Sequence, residues 1–193
     1  MIRKRAVCAA LLIALFGCDN KPTVQIAAKP ALTPVQRSAA VLSATQGMVQ
    51  ERDKMESISF FSAKGEPWIG DGITVYVAVP DDTHAFLRIA PHYQGSEWIF
   101  FKRIKVMADS KIVYEKDFSA LRVKHDNNSS GVYESVDYAA EGIDVDAMRA
   151  IAAAKSVTVR LSGDDKRDEF DLTEKDRARI ARSLSAFDAL SAI

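Results

Sequence analysis

The chain has 193 residues, with 26 basic side chains against 26 acidic ones and 48% hydrophobic residues. That balance lacks the basic footprint of a nucleic-acid binder. The length suits one domain with a single core plus a short appendage.

The N-terminus has three zones. Arg3, Lys4 and Arg5 form a positive patch, Ala6 to Phe16 ("AVCAALLIALF") is an unbroken apolar run, and Gly17, Cys18, Asp19 and Asn20 follow. The run is too short to span a bilayer, which takes about 20 apolar residues. A basic start and a short apolar core are the pattern of an export signal. A buried N-terminal helix would instead show an amphipathic stripe, and this run is apolar all round.

"LFGC" resembles the lipobox of bacterial lipoprotein signal peptides. Leu15, Gly17 and Cys18 match that pattern, whereas Phe16 is bulkier than the small residue usual there. The resemblance implies removal of residues 1–17 and acylation of Cys18 by a diacylglycerol thioether and an amide-linked chain. Two or three acyl chains anchor stably where one does so only reversibly. In enterobacterial members of that class, aspartate after the cysteine, helped by asparagine, retains the protein in the inner membrane, so Asp19 and Asn20 imply that address. Cleavage would also remove Cys8, leaving a lone thiol and no intramolecular disulfide. The first 17 residues hold three basic and no acidic side chains, so the remaining 176 residues carry 23 against 26, formally −3.

Residues 18–32 read as the lipidated end and a tether, with Pro22, Pro30 and few large apolar residues. Fourteen residues reach at most about 50 Å and average nearer ~20 Å when flexible. Residues 33–193 read as one periplasmic domain. Thr33, Pro34 and Gln36 supply three coincident helix-start signals, and a helix is expected over 34–55, weakened at Gly47. Its thin stripe of Val35, Ala39, Leu42 and Val49 is a candidate contact for a protein partner.

Residues 57–138 read as strands. "ITVYVAV" (73–79) alternates as a half-buried strand does, and "SISFFSA", "HAFLRIA", "EWIFFKRIKVM" and "KIVYEKDF" follow the same logic. A shift of the apolar set across Lys102 and Arg103 predicts a bulge there. "HDNNSSG" (125–131) reads as a polar loop, and "VYESVDY" as one more strand. The last third reads as helix, hairpin and helix over 144–192. Asp144 or Asp146 caps the first helix, Met148 and Ile151 face inward, "GDDKRD" makes the turn, and Thr173 with Asp176 forms a capping box. Ala178, Ile180, Ala181, Leu184, Phe187 and Leu190 line the last helix. The fold class expected is α+β: a curved or sandwich-like antiparallel sheet of seven or eight strands, with an N-terminal and a C-terminal helix packed on it. "DKMESISFF", "EWIFFKRIKV" and "VTVRLSGDDKRDEFDLT" give the chain a pattern similar to a group of exported bacterial domains that carries no assigned activity.

Chemistry-bearing residues are sparse. His84 and His92 share strand parity but lie about 26 Å apart along one extended strand, too far for joint ligation, so they and His125 read as surface or loop side chains and no metal site is expected. "GDDKRDEFD" fails the calcium-loop spacing, because Glu169 stands where glycine is needed and Lys175 where glutamate is. No G-x-S-x-G elbow, P-loop or dinucleotide fingerprint occurs, and no cofactor is implied. The cations Lys102, Arg103, Lys105, Lys111 and Lys116 fall on one predicted hairpin. They read as a charge-protected sheet face or as a contact with anionic headgroups. Trp68, Trp98, Phe100 and Phe101 read first as core and second as the walls of a ligand groove. The function expected is a membrane-anchored envelope lipoprotein acting as a non-enzymatic binding module. A periplasmic hydrolase with a site assembled from distant residues is the alternative, and an accessory protein of a larger envelope complex, docking through residues 35–55, is a third.

Overall fold

Why the chain folds as it does is visible at its caps. Thr33 accepts the N–H of Gln36, whose side chain accepts the N–H of Thr33, and Pro34 fills the first turn of α1, Pro34–Ala44. At the other end Thr173 and Asp176 cap each other reciprocally and open α3, Glu174–Ser191. A computed structural model describes residues 32–68 and 70–192, so the signal, tether, Cys18, Asp19 and Asn20 readings lie outside the described residues.

Among the described residues, eleven strands form two antiparallel sheets. The larger orders β1 (Val49–Asp53), β2 (Ile58–Ser62), β3 (Gly72–Pro80), β4 (Phe86–Gly95), β8 (Gly131–Ser135) and β7 (Lys124–Asn128), with β9 (Tyr138–Ala139) also on β4. The smaller orders β11 (Arg167–Asp171), β10 (Val157–Ser162), β5 (Arg103–Ala108) and β6 (Lys111–Asp117). The architecture is α+β, a strongly curled antiparallel half-barrel with an N-terminal and a C-terminal helix. α2, Gly142–Ala153, joins the two sheets in sequence. Apolar side chains of both sheets, α2 and α3 make one core, including Val75, Val77, Leu87, Ile104, Met148, Ile151, Val159 and Ile180. The Ser183 hydroxyl donates to the Val75 carbonyl at 2.6 Å and ties α3 to β3. No described helix is long and apolar enough to cross a membrane.

Several expectations are corrected. The helix expected over 34–55 stops at Ala44. Gly47 takes φ +78°, and Val49–Asp53 becomes an edge strand paired with β2. Glycine turns the chain here because it tolerates positive φ at no steric cost. The polar loop expected at 125–131 is instead the β7–β8 hairpin. All five residues of β7 are exposed, so nothing in its composition needed to be apolar. The bulge expected at Lys102/Arg103 falls between Val106 and Met107 on the β5–β6 pair. The shift of apolar parity near Lys102 marks the irregular crossing, residues 96–102, from the large sheet to the small one. α2 is capped from Glu141, with Asp144 in its first turn reaching back to the Glu141 N–H at 2.9 Å. The half-buried strand at 73–79 is buried on both faces, because the β2–β3 connection covers the side away from the core.

Candidate functional site

Two faces of the β4–β8–β7 end of the large sheet carry the side chains that could recognise a ligand. Register places Lys124, Asp126 and Asn128 opposite Ser135, Tyr133 and Gly131, so their side chains share the outer face. His125 and Asn127 take the inner parity, opposite Glu134 and Val132.

On the inner side, Glu134 is fully buried, and its two oxygens accept three successive backbone N–H groups, those of Ile99, Phe100 and Phe101, at 2.7–2.8 Å. Such bonds to a carboxylate are roughly twice as strong as neutral ones. They shape the crossing 96–102, in which Phe100 is held at φ +50°, a region rarely used by bulky residues. Phe100 therefore points outward, 55% exposed, stacked on Trp98 at 5.8 Å and 5.3 Å from the His125 ring. His125 Nε2 stands 3.8 Å from Glu134 Oε2. Gly163 lets the β10–β11 turn come in beneath this crossing, since a Cβ there would lie 2.0 Å from the Ile99 carbonyl oxygen.

On the outer side lies a cleft of about 830 Å³ with Trp68, Arg122, Lys124, Asp126, Asn128 and Tyr133 among its walls. Trp68 comes from the β2–β3 connection, is 54% exposed, and packs edge-on against Tyr76 at 5.5 Å. Tyr76 donates to Asp137 at 2.6 Å and accepts from Arg88 at 2.9 Å. Burial first, then the bond to Asp137, push the Tyr76 phenol well above its ordinary value, so it stays neutral.

The connection that carries Trp68 is pinned from below. His92 Nδ1 donates to the Gly70 carbonyl at 2.8 Å, which leaves Nε2 as an acceptor facing the Thr74 hydroxyl at 3.2 Å. Thr74 Oγ1 also lies 3.0 Å from the Pro67 carbonyl, and Asp71 accepts the Gln94 N–H at 2.9 Å. Burial lowers the His92 pKa, keeping the ring neutral. Gly72 makes room for that ring, since a Cβ would lie 2.8 Å from its Cε1. Glu66 sits in the same connection. Among the described residues its Oε2 is the buried side-chain atom without a hydrogen-bond partner. Burial raises Glu66 to about 7, against the pull of Arg179 and a hydrogen bond from Thr74.

The residues singled out from sequence distribute as follows. Phe101 is core, Trp98 is half-buried, and Trp68 and Phe100 are exposed, so the core reading is corrected for those two. His92 is buried rather than on the surface, while His84 and His125 are exposed. The five cations are not brought together. Lys102 pairs with Asp164 at 2.5 Å, Lys105 with Glu115 at 3.1 Å, and Lys116 turns to the inner side onto buried Asp144 at 3.0 Å. Burial works to raise Asp144, yet the Glu141 N–H, the Tyr114 hydroxyl and Lys116 outweigh it and hold the carboxyl below its usual value. Arg103 remains exposed on the face where Arg160 pairs with Glu169 at 2.7 Å, and Lys111 is exposed at the hairpin end, opposite Ala108. The result is a mixed-charge face rather than a cationic stripe. Glu134 and Glu66 were missed. Glu134 had a signal, because it takes the apolar parity of Val132 and Val136.

Among the described residues no group of three His, Cys, Asp or Glu could hold a metal ion. The fold and the site together define an α+β half-barrel domain with an open, aromatic-walled cleft on its outer face. No protein-family model matches the chain, and no curated protein matches it.

Proposed function

We propose that the chain is a bacterial envelope lipoprotein, anchored through acylated Cys18, whose domain faces the periplasm as a non-enzymatic binding module. The ligand surface is the outer-face cleft. The observation that carries this reading is the pairing of an exposed indole with a rigid foundation: Trp68 stands in the cleft while Thr74, His92 and Tyr76 fix its backbone and ring from below. Preorganised aromatic walls with a few converging polar groups are how ligand sites are built. The "LFGCDN" stretch supports the anchor and, through Asp19 and Asn20, the inner membrane.

One observation favours the hydrolase alternative. Thr74 and His92 sit as a hydroxyl and an acceptor imidazole, with Gly70 fixing the tautomer. Thr74 is 0% exposed, however, so no substrate atom reaches its oxygen, and the pair serves the connection above it. α1 leaves Leu42 71% exposed, a residue the third reading would use for a protein contact.

Metabolic labelling with palmitate tests the anchor. Label is expected in the wild type and absent from Cys18→Ala, and equal labelling of both would remove the lipoprotein reading. For the module, hydrolysis of a panel of esters and amides by the full chain is expected to be nil. Turnover abolished by Thr74→Val would instead establish the enzyme.

A further inference from the structure

We infer that the outer-face cleft takes an acidic saccharide, a ring that carries a carboxylate and several hydroxyls. The inference rests on the cleft being the binding face, and it adds the class of ligand. The walls supply three kinds of contact. Trp68 offers an indole half open to solvent, a flat apolar surface for the C–H face of a sugar ring. Arg122 and Lys124 stand at the mouth, and among the described residues neither has an acidic partner, in contrast to Lys102, Lys105 and Lys116. Their positive charge is thus free for a carboxylate. Asp126, Asn128 and Ser135 project from two neighbouring strands onto the same floor, a set of acceptors and donors matched to hydroxyl groups.

The same geometry argues against an extended peptide. A peptide would add to the free edge of β7 by backbone hydrogen bonds. In the β7–β8 hairpin the 128/131 pair closes the turn, so the N–H groups of His125 and Asn127 face that edge. The Asn127 N–H is already taken by Asp126 Oδ1 at 2.8 Å. Among the described residues Val123 is the one aliphatic wall, so they form no row of sockets for the apolar side chains that give a bound strand its specificity.

The test uses the full chain in detergent with Trp98→Phe, so that Trp68 is the sole tryptophan and its emission reports the cleft. Three probes are titrated: an oligomer of a hexuronic acid, its carboxyl-reduced neutral counterpart, and an oligoglutamate peptide of equal charge. The expected result is a saturable change with the uronic oligomer, at least about tenfold weaker binding of the neutral form, and weakening by about fivefold to tenfold in Arg122→Gln/Lys124→Gln. Both cations are exposed, and near-UV circular dichroism checks that this variant folds. Equal binding of the neutral oligomer, or preference for the peptide, overturns the ligand class and leaves the cleft reading standing. Silence with all three probes also overturns the ligand class, and the cleft is then judged separately by crosslinking from position 68.

Discussion

Glu134 and Glu66 are both acids inside the fold, and they do opposite things. Three backbone N–H groups converge on Glu134, so the carboxylate organises the crossing that displays Phe100 and Trp98. Glu134→Ala strands those donors and is expected to cost about 3 kcal/mol in urea unfolding, with a shift in Trp98 emission; Glu134→Gln should cost less. Among the described residues no donor meets one oxygen of Glu66, and its pKa of about 7 lies above the ordinary 4.5. An acid raised on folding keeps a proton that the unfolded chain has released, so its contribution to stability falls as pH rises from about 4.5 to about 7 and stays lost above that. His92 works in the other direction, since its lowered pKa makes the folded form lose stability as pH drops below about 6.5. Arg179 and Asp176 from α3 and Thr74 from β3 face Glu66, while Asp71 and Asp176 face His92. Glu66→Gln is therefore expected to flatten the decline in melting temperature between pH 5 and pH 7.5, and an unchanged profile would count against this assignment. Caps were legible residue by residue, because Thr33 and Thr173 act on N–H groups three positions away. Glu134 was not, because its partners lie more than thirty positions upstream and only the fold brings them to it.

Among the elements, the β2–β3 connection matters most to the cleft. It stays in place through contacts with side chains of β3 and β4, and Gly72 is the clearance that one of them requires. Gly72→Ala pushes against a buried ring whose Nδ1 is held by the Gly70 carbonyl, so destabilisation of about 1–3 kcal/mol is expected, along with freer Trp68 seen as increased iodide quenching. α1 depends on α3 in a different way. Arg182 donates to the carbonyls of Ala44 and Gln46 at 2.9 Å each, closing the C-terminus of a helix that buries none of its own residues. Arg182→Ala should accelerate amide exchange across Pro34–Ala44 while leaving the sheets protected. Strands with one face in the core, such as Val157–Ser162, could be read from alternation alone. β1 and β7 could not, because an exposed edge strand has no apolar parity to display, and Gly47 was weighed as a weak helix residue when it is the point at which the helix ends.

At the scale of the molecule, the α+β class and the two packed helices were readable, because periodicity reports which faces meet a core. The division into a seven-stranded and a four-stranded sheet was not, since it depends on the crossing at 96–102 that Glu134 organises from a distance. The same division disperses the Lys102–Lys116 cations over two faces and leaves Arg122 and Lys124 at the cleft. On the proposed function, recognition lies at Trp68, away from both the α1 helix and the β5–β6 hairpin. The most direct test is photocrosslinking in intact cells from a reactive residue placed at position 68, 42 or 105. Adducts at 68 that disappear when excess soluble domain bearing wild-type Trp68 competes, with none at 42 or 105, are the result predicted. Adducts confined to 42 or 105 would contradict it and move the binding surface to the helix or the mixed-charge face.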